Sequence, residues 1–478
     1  MDTASLKTPG VYIQEIATFP PSVAEVETAI PAFIGFTELV PPNSVNRITS
    51  MVEYVALYGM AENQKDFAVS LDAAGNLTIV PGKTSPYIMY YCLQLYFANG
   101  GGPAWIASAG AYANAAATGV ALASLTNALT LIAKEDEPTL ILFPDAINTL
   151  PGATYYALLS AALTQCVNLQ DRFTIIDVPN THSESFKDAT EFRNALNGVE
   201  PDTTYGAAYY PFLRTSIPYQ VTDTDLQAIL VAPAPPAPVV PPQVQHNPDG
   251  TVIPAPPAKV VKAPAPAVPN SLQLNQIKQT LANAGMILPP SAAMAGIYAR
   301  IDKDRGVWKA PANVSVSNVI APTVKIDDDE QTTLNVDVTA GRSINAIRAF
   351  TGKGTLVWGA RTLAGNDNEW RYINVRRLFI EIEQSVKRST YWAVFEPNDA
   401  NTWVKVRAMI ENYLLLKWKD GALAGAKPAD AFYVFCGLGT TMTAQDILEG
   451  RLIVQVGLAA VRPAEFIILQ FFHKLQVS

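Results

Sequence analysis

Three short, near-continuous apolar runs constrain the fold most tightly: AWIASAG (Ala104 to Gly110), LILFPDA (Leu140 to Ala146) and RFTIIDVP (Arg172 to Pro179). Strands of this composition need cover on both faces, which is the setting of a parallel sheet flanked by helices. The segments between them agree. PYIMYYCLQLYF (Pro86 to Phe97) has helical spacing and length, and a second helix is predicted near Thr154 to Leu169. ALTLIA (Ala128 to Ala133) reads as one more short strand. Strands alternating with helices predict an α/β layer with a largely parallel sheet.

A chain of 478 residues exceeds what one hydrophobic core usually organises, so two or more domains are expected. Val231 to Asn270 holds 13 prolines and shows no helical or strand period, the mark of an extended, surface-exposed insertion. Six of the seven tryptophans follow residue 300, which predicts a separate, densely packed C-terminal portion. The expected division is an N-terminal arm over 1–24, an α/β domain over 25–288 carrying the proline-rich insertion at 231–270, and a second domain over 289–478. The fold class is α/β (α+β), multi-domain.

Chemistry-bearing patterns are sparse. NGGGP (Asn99 to Pro103) follows a helix and precedes a strand, the reverse of a phosphate-cradling loop. Asp145 and Asp177 end predicted strands, where an α/β enzyme places catalytic carboxylates, yet neither has a nearby base or nucleophile motif. Helix capping or turn formation explains both. His182, His246 and His473 lie far apart, DDDE (Asp327 to Glu330) lacks calcium-loop spacing, and GKGTLVWGA reads as a tight turn feeding a strand. No catalytic residue, cofactor site or metal site is expected.

Composition narrows the partners. Hydrophobic residues make up 49% and charged residues 16%, so the outer surface is expected to meet other subunits. A net charge of -8 argues against nucleic acid. Cys92, Cys166 and Cys436 read as buried thiols of a reducing compartment. Neither a signal peptide nor a membrane-spanning run is legible, which predicts synthesis in the cytoplasm and no direct membrane insertion.

The C-terminal third adds DKDRGVWKAPAN (Asp302 to Asn313), VWGARTL (Val357 to Leu363), EWRYINVRRL (Glu369 to Leu378), FEPND (Phe395 to Asp399), KPADAF (Lys427 to Phe432) and RPAEFIILQ (Arg462 to Gln470). With TPGVYIQEI (Thr8 to Ile16) and YFANGGGPAWI (Tyr96 to Ile106), in this order, the chain resembles the contractile tail sheath proteins of phages and phage-tail-like injection particles. The resemblance covers most of the chain outside the proline-rich stretch. It implies a structural, non-enzymatic subunit that polymerises as a helical tube around an inner tube and contracts to drive it through a target envelope. Baseplate and terminator or cap proteins are the further partners implied, and the particle is expected to be released from the bacterial cell. A non-contractile tail or baseplate component, or an α/β enzyme with a structural C-terminal domain, are the other readings.

Both ends of the chain pose one problem. EFIILQFF (Glu465 to Phe472) is apolar on both faces, and VYIQEI is fenced by Pro9 on one side and by Pro20 and Pro21 on the other. A terminus normally frays, so strands of this kind seek partners. Addition to a neighbour's sheet supplies main-chain hydrogen bonds and register, and a heterologous contact that does not close generates a helix. The resemblance implies the same exchange, expected at Val11, Tyr12, Ile13, Gln14, Glu15 and Ile16, and at Glu465, Phe466, Ile467, Ile468, Leu469, Gln470 and Phe471. Pairing within the chain is the alternative.

Two helices, Asn374 to Arg388 and Thr402 to Trp418, are the candidates for contact with the inner tube. The first offers Glu381, Glu383, Lys387 and Arg388; the second offers Lys405 and Arg407, with Glu411, Lys417 and Lys419 also placed on its polar side. The apolar stripe of the second is Trp403, Val406, Ile410, Tyr413 and Leu414. Exposed charge pairs worth about 0.2 to 1 kcal/mol each suit a grip that must release.

Overall fold

The computed structural model describes residues 22–64, 67–71, 77–81, 85–112, 118–182, 185–196, 203–227, 231–232, 268–337, 339, 341–468 and 470. Val11 to Ile16, Leu469, Phe471, His246, His473 and most of the proline-rich stretch lie outside them. Two compact units divide the chain. A sheet unit comprises Ala29–Asp304 and Pro311–Ile373; a terminal unit comprises Met1–Thr28, Arg305–Ala310 and Asn374–Ser478.

The sheet unit holds nine strands in one sheet: β1 (Pro31–Thr37), β2 (Val45–Ile48), β3 (Ala104–Ala111), β4 (Leu140–Leu142), β5 (Phe173–Asp177), β6 (Gly206–Tyr210), β7 (Val314–Ser315), β8 (Ile344–Phe350) and β9 (Gly354–Val357). Their order is β7-β9-β8-β6-β5-β4-β1-β3-β2. The run from β3 through β1, β4, β5 and β6 to β8 is parallel throughout. Antiparallel strands finish both edges, β2 on β3 and the pair β9 and β7 beyond β8. Every residue of β1, β5 and β6 is buried, as expected where helices cover both faces of a parallel sheet. Helices α1 (Met89–Ala98) and α2 (Thr118–Ile132) pack on β1, and α3 (Gly152–Leu169) packs on β5.

ALTLIA is not a strand but the end of α2. Ala128, Leu129 and Ile132 are buried while Thr130 and Leu131 are exposed, a helical spacing that six mostly apolar residues alone do not reveal. Strands β1 and β6, PAFIGFT and GAAYY, were not anticipated. One opens on proline and holds a glycine, and the other is five small or aromatic residues, so neither carries a strong strand signal.

The expected boundary at residue 289 does not coincide with the division into units. Residues 314–357 add three strands to the large sheet, with β8 continuing the parallel order beside β6. Asn345 ties this extension in, its buried side-chain amide donating to the carbonyls of Ala208 and Arg361. The turn between β8 and β9 uses Gly352 and Gly354 at φ +75° and +77°, where a Cβ is unfavourable. Trp358 and Trp370 therefore belong to the sheet unit, and Trp308, Trp392, Trp403 and Trp418 to the terminal unit.

The terminal unit is built on α5 (Ile373–Ser389, from Asn374 onward) and α6 (Ala400–Lys419), with an antiparallel pair, β10 (Phe432–Cys436) and β11 (Val454–Leu458). Its core gathers Leu378 and Ile382 of α5, Val406, Ile410 and Leu414 of α6, and Val434 of β10. Asp399 starts α6 by accepting the Thr402 N–H at 3.0 Å, which satisfies one of the unpaired first-turn donors of the helix. That backbone hydrogen bond holds the carboxyl of Asp399 below its usual pKa.

Candidate functional site

The two strand-end carboxylates come first, because an enzyme would use them. Asp145, just past β4, is fully buried and accepts N–H bonds from Phe36 at 2.7 Å, Ile88 at 2.6 Å and Met89 at 2.9 Å. It ties β1 to the start of α1. Gly35 is required beside it, since a Cβ there would stand 2.5 Å from a carboxylate oxygen of Asp145. Asp177, the last residue of β5, accepts the N–H of Ser291 at 2.7 Å and its hydroxyl at 2.5 Å, holding the start of α4 (Ser291–Arg305). Burial pushes both carboxyls up to about 7, against the lowering effect of these hydrogen bonds. The hydrogen bonds of both carboxylates go to segments distant in sequence, and Asp145 makes no side-chain cap to the short helix that follows it, so the local cap expected there is replaced by a tie to α1.

The three cysteines are likewise enclosed. Burial raises the pKa of the Cys92 thiol, pushes that of Cys166 up to about 12 and raises that of Cys436, so none is an activated thiolate. His182 contacts Asp188 at 2.8 Å and the Thr181 hydroxyl at 2.9 Å. Among the described residues no group of three or more His, Cys, Asp or Glu is placed to hold a metal ion, and no helix is long and apolar enough to cross a membrane.

The terminal unit carries the surface features. On α5, Glu383, Lys387 and Arg388 are exposed, and on α6 Lys405 and Arg407 are exposed. Glu383 lies 3.7 Å from Arg376, and Arg407 lies 3.6 Å from Glu411. Glu381 differs: it is buried and paired with Lys417 at 2.7 Å, so it is not part of any outward-facing charge on α5. Lys417, expected on the polar side of α6, is only 3% exposed. Burial alone would lower the pKa of this ammonium, but Glu381 and Glu25 more than offset it and leave the pKa raised. A signal for both was available. Glu381 stands three residues after Leu378, and Lys417 three after Leu414, so each extends the apolar stripe by one turn.

Strands β10 and β11 pair from Phe432 opposite Leu458 to Cys436 opposite Val454. Val434 and Cys436 turn inward, whereas Tyr433 and Phe435 are exposed with ring centroids 4.9 Å apart. The chain then folds back once more, Val461 donating to the Ala422 carbonyl and Ala424 to that of Ala459. From Arg462 to Ile468 no residue is in a strand, and Phe466, Ile467 and Ile468 are 71%, 78% and 82% exposed. Gln470 is exposed and Glu465 half-buried. The FEPND turn adds a further exposed group: Phe395 is fully exposed at φ +68°.

The described residues thus combine a large sheet of buried strands, carboxylates bonded to helix starts and three consecutive apolar residues left exposed. A family model described as the phage tail sheath C-terminal domain matches residues 365–474. The tail sheath protein of Burkholderia phage BcepMu is 29% identical over 157 residues, 32% of this chain and 32% of that protein. A putative prophage major tail sheath protein of Pseudomonas aeruginosa is 27% identical over 133 residues, 27% of this chain and 33% of that protein. These matched stretches span about a third of each relative's length. Solved structures match over nearly the whole chain. The sheath complex of an extracellular contractile injection system, PVC, in its contracted state is 31% identical with a TM-score of 0.64, covering 98% of each chain. The helical sheath of the anti-feeding prophage, also contracted, is 31% identical with a TM-score of 0.62, covering 98% of this chain and all of that one. The chain belongs to the contractile tail sheath family.

Proposed function

We propose that the protein is the repeating subunit of a contractile sheath, which polymerises helically around an inner tube and shortens to drive that tube through a target envelope. The observation that carries this reading is Phe466 to Ile468: three consecutive apolar residues stand in solvent in a chain whose full-length relatives form helical sheaths in a contracted state. Their exposure forfeits about 1.5 to 3 kcal/mol of burial per side chain, a loss recovered when a neighbouring subunit covers them. Addition of Glu465 to Phe471, and of Val11 to Ile16, to sheets of adjacent copies supplies that cover, and β10 with β11 is a two-stranded sheet with outer edges to extend.

Contact with the inner tube falls to the exposed charges Glu383, Lys387 and Arg388 of α5 and Lys405 and Arg407 of α6, with Glu381 withdrawn. Assembly on a baseplate, closure by a terminator and release as a phage-tail-like particle complete the reading; an anti-feeding prophage baseplate structure contains a chain 30% identical to this one, covering 98% of this chain and all of that one. The subunit's work is mechanical, and the non-enzymatic reading follows from the family.

Electron microscopy of purified chain tests the assembly. Full-length protein forms long hollow helical tubes, and removal of Met1 to Glu15 or of Glu465 to Ser478 leaves folded, unassembled subunits. Tubes that persist after both truncations would sink strand exchange as the link.

A further inference from the structure

The stretch just after the N-terminal arm lies along α5 in a regular way. Val23 packs on the core of the terminal unit. The N–H of Ala24 donates to the Ser389 hydroxyl at 3.1 Å, and the N–H of Val26 to the Ser385 hydroxyl at 3.1 Å. Arg377 then donates to the Thr28 carbonyl at 2.9 Å. As the segment advances from 24 to 28, its partners step back from 389 to 377, so it runs antiparallel to the helix. The spacing matches: two extended residues advance about 6.6 Å, and four helical residues rise about 6 Å. Glu25, between the two donating amides, reaches the other helix and pairs with Lys417 of α6 at 3.0 Å. Lys417 is already fixed by Glu381.

We propose that Val23 to Thr28 is a fixed strap that fastens the N-terminal arm to its own subunit, with Ser385 and Ser389 as its rungs and Lys417 as the positioning residue that locks it across α5 and α6. This rests on the reading that the arm joins neighbouring copies: a link transmits the movement of one subunit to the next only if its root is held. The register of serines four residues apart sets where the root sits.

Amide-resolved hydrogen exchange on the soluble full-length chain tests the strap without requiring assembly. The amides of Ala24 and Val26 are expected to exchange at least about tenfold more slowly than in an unstructured peptide. Ser385→Ala accelerates Val26, Ser389→Ala accelerates Ala24, and Glu25→Gln accelerates both, while amides within α6 stay protected. Lys417→Arg retains the protection that Lys417→Met loses. Glu25→Gln guards against simple misfolding, since Glu25 is half exposed and its loss leaves the pair of Lys417 with Glu381 intact. Unstructured rates at Ala24 and Val26 in the unaltered chain overturn the strap, whatever truncation of residues 1–15 does to assembly. Protected amides together with undiminished assembly after that truncation overturn arm exchange and leave the strap standing.

Discussion

Strand β5 and the segment Phe466 to Ile468 are alike in composition and opposite in fate. In β5, Phe173, Ile175 and Ile176 sit between parallel neighbours and under helices, with essentially no exposure. In the C-terminal segment, equally apolar side chains stand in solvent. The sheet unit satisfies its strands within one chain. The terminal unit leaves three consecutive apolar side chains exposed, which the proposed strand exchange would cover.

The sharpest way to break the comparison is to place the same charge in both. Ile176→Asp puts an unpaired carboxylate inside the sheet and costs more than about 4 kcal/mol, read as loss of the cooperative thermal transition. Ile467→Asp with Ile468→Asp leaves monomer stability within about 0.5 kcal/mol but abolishes tubes, read by sedimentation and microscopy. If the double variant destabilises the monomer as strongly as Ile176→Asp, the segment pairs within its own chain.

Next in size is the contrast between two lysines of α6. Lys417→Met strands Glu381 in the core and costs about 3 to 5 kcal/mol in denaturant unfolding. Lys405→Glu, on the exposed face, changes stability by no more than about 0.5 kcal/mol, and with Arg407→Glu weakens attachment to the inner tube in a co-sedimentation assay. Undiminished attachment removes α6 from the tube contact.

A smaller effect concerns pH. Asp145 and Asp177 hold protons up to about pH 7 in the folded chain, well above the ordinary carboxyl range. Below about pH 4 folded and unfolded chains are both protonated there. Between about 4 and 7 the unfolded chain releases protons that the folded one retains, so this contribution to stability declines as pH rises through that window and levels off above it. Urea midpoints followed from about pH 4 to 7 should fall less steeply for Asp145→Asn than for the unaltered chain; equal slopes would remove Asp145 as a source. The smallest effect is expected at Phe395, whose φ of +68° disfavours any side chain. Phe395→Gly should stabilise the monomer by less than about 1 kcal/mol in the same titration.

Much of this was legible without coordinates. AWIASAG, LILFPDA and RFTIIDVP are strands of a parallel sheet because strands buried on both faces cannot afford polar positions, and that leaves a mark in the sequence. PYIMYYCLQLYF was legible as a helix by its spacing. ALTLIA was not, because a six-residue, mostly apolar run fits a strand or a helix end equally well. PAFIGFT, an interior strand of the sheet, hides behind its proline and glycine. Glu381 and Lys417 were misread because charge was taken as a sign of exposure, although their positions on the two apolar stripes argued otherwise.

The sequence by itself determined that the chain is α/β, and that Phe466, Ile467 and Ile468 form an unbroken apolar run. These follow from local composition and period, which a single segment carries alone. Only the tertiary structure decided that residues 314–357 extend the large sheet, that Glu381 and Lys417 face each other in a core, and that Ala24 and Val26 meet serines about 360 residues away. Each of those depends on segments distant in sequence arriving at one place, and no local pattern specifies which distant partner will be there.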